Sequence, residues 1–237
     1  MSTLYPLFDA ANRRRKILMD IKYDPLPWIS DGLVMCFDGK RNHITGHVQN
    51  PGVWWDWSGH GHDMTLRDTN DVLTYEFGDS YLWLPTWGSN TRYELPWISL
   101  SDVAIPNDGY TFEFVAYSGG VWFRDNSGGF VNNNSYGGGT LNSYAWGTAI
   151  GTGVKRSLTH CYSFSLGFSD QKVYKDGVLN GEIEKSHTQG ITRFAMWLSY
   201  DARYERNRWY SIRLYNRRLS EGEIIHNYNV DLRRYKL

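Results

Sequence analysis

The chain has 237 residues, with 25 basic and 25 acidic side chains, and aromatic residues make up 16% of it. Zero net charge gives no reason to expect nucleic acid or an anionic membrane as a partner, and no segment has the apolar length of a membrane span. One large all-β domain fits this length, and the 24 glycines suit tight turns between short strands.

The cysteines and the N-terminus indicate the compartment. With only 2 cysteines, Cys36 and Cys161, the chain has no disulfide framework, and we expect free thiols in a reducing environment. The N-terminus lacks an apolar signal core, because its basic run follows the first apolar residues. We therefore expect a protein that is made in the cytoplasm and is not exported by a standard signal.

Residues 1–30 are predicted to form an arm and a linker ahead of the main domain. Apolar residues recur at helical spacing, at Leu4, Phe8, Ala11 and Leu18. Residues 24–28, DPLPW, read as a proline-stiffened connector. The candidate attachment residues are basic: Arg13, Arg14, Arg15 and Lys16. An arm that folds back on the domain fits the same pattern equally well.

Residues 31–237 are predicted to form one antiparallel sandwich. About a dozen short strands alternate with Gly, Asn and Asp turns, which is typical of all-β sandwiches and jelly rolls. Residues 33–37 form an apolar run that indicates a strand covered on both faces. The side-chain pattern of residues 111–117 and 160–168 alternates, so each strand should have one buried and one outward face, with Cys161, Ser163 and Ser165 outward in the second. Residues 121–124 should pair with residues 111–117. Asp176 and Gly177 predict a two-residue hairpin turn.

The stretch 210–229 predicts a closing strand followed by a short helix. Its strand alternates, so one face should be buried through Tyr210, Ile212 and Leu214. Ser220 and Glu223 form a capping box, which marks the start of the helix. The helix should dock on the domain through Ile224, Ile225 and Tyr228.

Several of these stretches resemble a known fold family. The closing IRLYNRRLSEGEIIHNYNVD, the opening DGLVMCFDGKRN and the tryptophan loop WWDWSGHGHDMTL are similar to concanavalin A-like, laminin-G-like jelly rolls, in the versions found in tailed-bacteriophage structural proteins. TFEFVAY and KVYKDGVLNG follow in the expected order. The resemblance implies a concanavalin A-like jelly roll with an N-terminal arm and a short C-terminal helix.

The same resemblance implies a function. It suggests a non-enzymatic virion component, either a head decoration protein, a head fibre or a tail fibre. The arm would bind other virion proteins, and the jelly roll would face outward and touch host surface glycans. We also expect a homo-oligomer. One fold hosts many functions, so a free lectin-like module is the alternative.

Glycan binding requires aromatic rings that stack on sugars and amides that fix hydroxyl groups. The candidates come from an aromatic-rich stretch and a Gly- and Asn-rich stretch: Trp83, Trp87, Tyr93, Trp97, Asn132, Asn133, Asn134 and Tyr136. Trp and Tyr are also enriched in cores and protein interfaces. These residues are therefore also compatible with a packing role.

A glycoside hydrolase is a third hypothesis, and it needs paired carboxylates. Glu182 and Glu184 are two residues apart, so they would share one face of a strand. His187 occupies the position where a third acid would complete the usual pattern of this fold. We therefore predict no catalytic residue.

A calcium site is the candidate metal site. Calcium prefers oxygen ligands, and Asp38, Asp56 and Asp63 lie in the two loops that the resemblance brings together. A transition metal is the alternative, through His43, His47, His60 and His62. Asp56 is also well placed to cap turn amides, which would make its role purely structural.

Overall fold

The computed structural model describes residues 26–44, 53–65, 76–84, 94–100, 103, 109–117, 121–124, 130–134, 140–145, 148–155, 158–167, 169–184, 193–198 and 207–237. The strands are β1 (Leu33–Asp38), β2 (Val53–Trp54), β3 (Met64–Thr65), β4 (Glu76–Phe77), β5 (Leu82–Leu84), β6 (Glu94–Ser99), β7 (Tyr110–Tyr117), β8 (Val121–Arg124), β9 (Phe130–Asn134), β10 (Thr140–Ala145), β11 (Thr148–Lys155), β12 (Thr159–Leu166), β13 (Asp170–Lys175), β14 (Val178–Glu184), β15 (Arg193–Leu198) and β16 (Asn207–Tyr215). The helices are α1 (Gly39–Ile44) and α2 (Glu221–Tyr235).

The strands form an eight-stranded sheet, a six-stranded sheet and a two-stranded ribbon, β2–β3. The eight-stranded sheet has the order β14–β13–β12–β7–β16–β5–β4, and β1 also pairs with β16. The six-stranded sheet has the order β11–β10–β9–β8–β15–β6. All the pairings are antiparallel, which confirms the predicted all-β sandwich with a C-terminal helix.

Local signals correctly predicted several elements. Every residue of β1 is buried, as its apolar run indicated. Asp176 and Gly177 form the turn between β13 and β14, and both have positive φ values, 51° and 74°. The hairpin therefore has the backbone twist that this dipeptide favours. The prediction for residues 121–124 was wrong, because β8 pairs with β9 and β15 rather than with β7.

The closing strand, β16, lies inside the eight-stranded sheet. One edge pairs with β7 along most of its length, and the other pairs with β5 and then with β1. A register shift between Trp209 and Ser211 interrupts the alternation. The shift places Tyr210 against Tyr235 of α2, with 5.4 Å between ring centroids. The predicted grouping of Tyr210 with Ile212 and Leu214 was therefore wrong.

The eight-stranded sheet is covered on both faces along its central strands. Phe112 and Phe114 of β7 are buried, and so are the alternate residues Glu113 and Val115. The predicted outward positions of β12 are also buried: Cys161, Ser163 and Ser165. Helix α2 and Trp28 pack on this second face, so the prediction that these residues face outward was wrong.

Helix α2 begins with the predicted capping box. The Glu223 amide donates to the Ser220 hydroxyl oxygen, and the Ser220 amide donates to the Glu223 carboxylate over 2.8 Å. Arg217 donates two hydrogen bonds to the same carboxylate and is the main cause that lowers the Glu223 pKa to about 2. Ile225 is 41% exposed, contrary to prediction. The buried helix residues are instead Ile224, Asn227, Val230, Asp231 and Tyr235.

A buried ion-pair network joins α2 to the sheet. Arg213 donates two hydrogen bonds to Asp231, of 2.8 and 2.6 Å, and a third of 3.0 Å to Glu113. Ser163 and Asn227 donate to the same Glu113 carboxylate. Burial raises the Glu113 pKa, and the Arg213 charge opposes that rise. All of these side chains are buried, so each charge has its partners inside the protein.

Trp28 connects the N-terminal side of the chain to this network. Its Nε1 donates to Asp231 over 2.8 Å, and its ring lies 4.8 Å from the Arg213 guanidinium and 5.3 Å from that of Arg234. The Ile29 amide donates to Asn227. The end of the predicted linker therefore packs into the domain, whereas residues 1–25 of the predicted arm lie outside the described residues.

Both cysteines are free, as the sequence predicted, and both are buried. Burial raises the pKa of the Cys36 and Cys161 thiols, so neither has the character of a reactive thiolate. Within the described segments, no helix is long and apolar enough to cross a membrane.

We expect Asp231→Ala to destabilise the fold by about 3–5 kcal/mol, because it leaves the buried Arg213 charge without its bidentate partner. Urea unfolding would measure this loss. The control is Asn229→Ala, on the exposed side of the same helix. A loss below about 1 kcal/mol would show that the network is not needed for stability.

We expect a chain that lacks residues 1–29 to be less stable than one that lacks residues 1–25, by about 3–5 kcal/mol. The longer deletion removes the buried Trp28 ring, and the shorter one leaves it in place. Thermal and urea unfolding of the two truncations would give the difference. Equal stability would contradict the packing role of Trp28.

Candidate functional site

The register of the six-stranded sheet places one row of residues across five strands. Tyr144 of β10 is opposite Asn132 of β9, which is opposite Trp122 of β8. Trp122 is opposite Trp197 of β15, which in turn is opposite Glu94 of β6. Residues that are directly opposite on neighbouring strands share a face of the sheet.

The alternation of the strands separates two faces of different composition. The row on one side of this one is apolar: Ala145, Val131, Phe123 and Met196. The row on the other side is mixed, with two polar and two apolar residues: Ser143, Asn133, Val121 and Leu198. The face of the row also carries Asn134, opposite Asn142, and Trp97, opposite Ala195. A register shift between Ala195 and Trp197, with the extra residue on β6, allows Trp97 and Glu94 to share this face although they are three residues apart. We call this face the aromatic–amide face: Trp97, Trp122, Asn132, Asn134, Asn142, Tyr144 and Trp197.

The spacing and chemistry of this row suit a small polar ligand with an apolar surface. Neighbouring strands are about 4.8 Å apart, so residues that face each other across strands lie close together. Indole and phenol rings provide flat apolar surfaces with a polar edge. Amides supply both hydrogen-bond donors and acceptors. A sugar has both an apolar C–H surface and many hydroxyl groups, so this combination can bind it.

The predicted glycan-binding residues are divided between the two sheets. Trp97, Asn132 and Asn134 lie on the aromatic–amide face, and Asn133 lies on the opposite face of the sheet. Trp83 belongs to β5 of the eight-stranded sheet, opposite Arg208. The remaining candidates, Trp87, Tyr93 and Tyr136, lie outside the described residues.

Sequence reasoning identified Asn132 but missed the three aromatic members of the row, Trp122, Tyr144 and Trp197. A signal was present in β8, where Trp122 and Arg124 alternate with Val121 and Phe123. The pairing of β8 with β15 was not visible, because it joins segments far apart in the chain. The candidate attachment residues Arg13, Arg14, Arg15 and Lys16 lie outside the described part.

Asp56 uses both of its carboxylate oxygens to hold its own loop on β1. Oδ1 accepts hydrogen bonds from the amides of Cys36 (2.8 Å) and Ser58 (2.9 Å). Oδ2 accepts from the Ser58 hydroxyl (2.8 Å) and the His62 amide (3.0 Å). The His62 Nδ1–H donates to the Val34 carbonyl. This arrangement is the local cap that the sequence offered as the structural alternative.

The other two calcium candidates also make hydrogen bonds within the protein. Asp38 is buried and accepts from Arg234, from the Tyr235 hydroxyl and from the Lys40 amide. Asp63 accepts from the Asp56 amide over 2.7 Å. The described residues contain no group of three or more His, Cys, Asp or Glu side chains that could hold a metal ion.

The two carboxylates considered for catalysis lie on β14, the terminal strand of the eight-stranded sheet. Glu182 and Glu184 are both exposed. Glu182 forms a salt bridge with Lys172 of the neighbouring strand, at 3.3 Å. Their geometry is that of solvated strand residues.

No protein-family model and no curated protein matches the chain. Solved structures share its fold. The Trypanosoma rangeli sialidase in complex with sialic acid aligns with a TM-score of 0.58, 15% identity, 94% coverage of this chain and 38% of that chain. The binding domain of Paraclostridial Mosquitocidal Protein 1 aligns at 0.58, with 12% identity and coverages of 85% and 52%.

A receptor binding domain aligns with a TM-score of 0.59, 13% identity and coverages of 85% and 51%. The chain thus spans about two fifths of the sialidase and about half of each binding domain. At these identities the likeness shows a shared β-sandwich fold.

We expect Asp56→Asn to destabilise the fold by about 1–3 kcal/mol, because an amide cannot accept all the hydrogen bonds that the carboxylate accepts. Urea unfolding should give the same loss in calcium chloride and in EDTA. A loss seen only with calcium would indicate a metal site at Asp56 instead of a cap.

Proposed function

We propose that the chain is a lectin-like, non-enzymatic β-sandwich module that binds a glycan on its aromatic–amide face. The observation that carries the proposal is the transverse row Tyr144–Asn132–Trp122–Trp197. Two tryptophans, one tyrosine and one amide on adjacent strands form a continuous strip of the chemistry that sugar recognition uses.

The two faces of the six-stranded sheet support this choice of surface. In a sandwich, the apolar face of each sheet supplies the core, and the other face carries the outward residues. The opposite face, which carries Val121, Phe123, Val131, Met196 and Leu198, therefore suits the core, and the aromatic–amide face suits a ligand. Because these residues belong to hydrogen-bonded strands, their backbone positions are fixed before a ligand arrives, which lowers the entropic cost of binding.

The structural neighbours support a binding module of this general kind. One of them is a sialidase in complex with sialic acid, and others are a toxin-protein binding domain and a receptor binding domain. The sialidase name alone does not favour catalysis here, because a catalytic function needs catalytic residues gathered in an active site. The paired carboxylates Glu182 and Glu184 are instead exposed on a terminal strand.

A virion location stays a prediction from the sequence resemblance. In that setting the module would be part of a decoration protein or a fibre, residues 1–25 would contribute to attachment, and the aromatic–amide face would meet host glycans. The expected homo-oligomer likewise stays a prediction. Both concern where the module works, and the glycan proposal does not depend on them.

We expect Trp122→Ala and Asn132→Ala each to weaken glycan binding by about tenfold or more, because each removes a contact from the centre of the row. A glycan array followed by calorimetry with the strongest hit would measure this. The matched control is Asn133→Ala, which changes the neighbouring residue on the opposite face of the same strand. Equal losses for Asn132→Ala and Asn133→Ala would contradict the proposed surface.

A further inference from the structure

We propose that the glycan is acidic, with its carboxylate or sulfate group bound at the Arg124 and Arg193 end of the aromatic–amide face. This inference rests on the proposed glycan-binding function and adds the chemical class of the ligand. It is carried by the distribution of charged residues over the six-stranded sheet and by their register.

The six-stranded sheet has an unequal charge composition. Its strands contain three basic residues, Arg124, Lys155 and Arg193, and a single acidic one, Glu94. The whole chain has equal numbers of each, 25 and 25. Basic charge is therefore concentrated on this sheet relative to the rest of the molecule.

All four charged positions fall on the aromatic–amide face. Arg124 lies two residues after Trp122, and Arg193 lies four residues before Trp197, so each shares a face with its tryptophan. Lys155 is opposite Thr140, which lies four residues before Tyr144 on β10. Glu94 is directly opposite Trp197. The face thus carries an excess of positive charge.

The two arginine positions are close to one another. Met196 is opposite Phe123 in this antiparallel pair, so Arg124, the next residue of β8, has its position opposite Ala195. Arg193 is two residues away from Ala195 on that strand. Such diagonal neighbours lie about 7–8 Å apart. Arginine side chains are long, so two arginines at strand positions this far apart can bind one anionic group together, and each can donate paired hydrogen bonds to a carboxylate or sulfate.

The arginines of the eight-stranded sheet side have a different role. Arg213 is paired with Asp231, Arg217 with Glu223 and Arg218 with Asp170. Each of these three guanidinium groups has a carboxylate supplied by the chain itself. The strands of the six-stranded sheet themselves contain one acidic and three basic residues, so an acidic ligand would match the charge of these strands.

Single-stranded nucleic acid is the competing ligand, since aromatic and basic residues also bind it. Two features favour a glycan. Nucleic acid binding uses a basic groove that follows many phosphates, whereas this face has an excess of two positive charges, counted from Arg124, Lys155, Arg193 and Glu94. It also carries three asparagines, Asn132, Asn134 and Asn142, which suit hydroxyl groups.

Calorimetry with matched ligand pairs tests the inference on the full chain. The pairs are 3′-sialyllactose and lactose, trigalacturonate and its methyl ester, and sulfated and unsulfated chondroitin oligosaccharides. We expect the acidic member of at least one pair to bind about tenfold or more tightly than its neutral partner, with an affinity that falls as salt rises. The pair that responds identifies a carboxylate or a sulfate.

Arg124→Gln and Arg193→Gln should each remove most of that preference while leaving the neutral ligand's affinity unchanged. Arg233→Gln, at an exposed position on α2, is the matched control and should change neither affinity. Circular dichroism and thermal unfolding of each variant would verify that it folds. A preference that survives both sheet substitutions would overturn the inference.

The remaining outcomes separate the two proposals. If the acidic and neutral members of each pair bind equally and Trp122→Ala abolishes this binding, the inference that the ligand is acidic is overturned and the glycan-binding function is supported. Tighter binding of a short poly(dT) oligonucleotide than of every glycan would overturn the acidic-glycan inference. No binding in any pair or on a broad glycan array would overturn both proposals.

Discussion

The bidentate ion pair between Arg213 and Asp231 is the interaction on which the arrangement of the eight-stranded sheet depends. Arg213 lies on the central strand β16, and Asp231 lies on α2, so one buried pair fixes the helix against the sheet. Removing two charges from water is costly, and the cost is offset only when the geometry is good and every remaining polar atom is satisfied. Glu113, Asn227 and Trp28 complete that set of partners.

The position of α2 has a consequence for function. Because the helix and Trp28 cover the second face of the eight-stranded sheet, polar residues such as Glu113 and Ser163 on that face are already paired inside the protein. A ligand-binding surface made of strand residues has to lie elsewhere. The six-stranded sheet carries the aromatic row and its asparagines in continuous register, which is why we propose it as the binding surface of the sandwich.

Much of the fold could be predicted from local sequence because the signals were local. The capping box at Ser220, the Asp176–Gly177 turn and the apolar run of β1 each depend on a few neighbouring residues. The helix-covered face could not be predicted in the same way. Asn227 and Asp231 look like exposed helix residues until Glu113 and Arg213 from other strands provide their partners. The bulge before Ser211 likewise depends on the pairing of β16 with β7.

The candidate site could be predicted from local sequence even less than the helix-covered face could. Residue types pointed to aromatic and asparagine-rich stretches, but a binding row is defined by which strands are neighbours and by their register. Trp122 and Trp197 are far apart in sequence and directly opposite in the sheet, while Asn132 and Asn133 are adjacent in sequence and on opposite faces. A shift of one residue in either pairing would exchange the two faces. Recognition by this surface is therefore a property of sheet register, which only the folded chain determines.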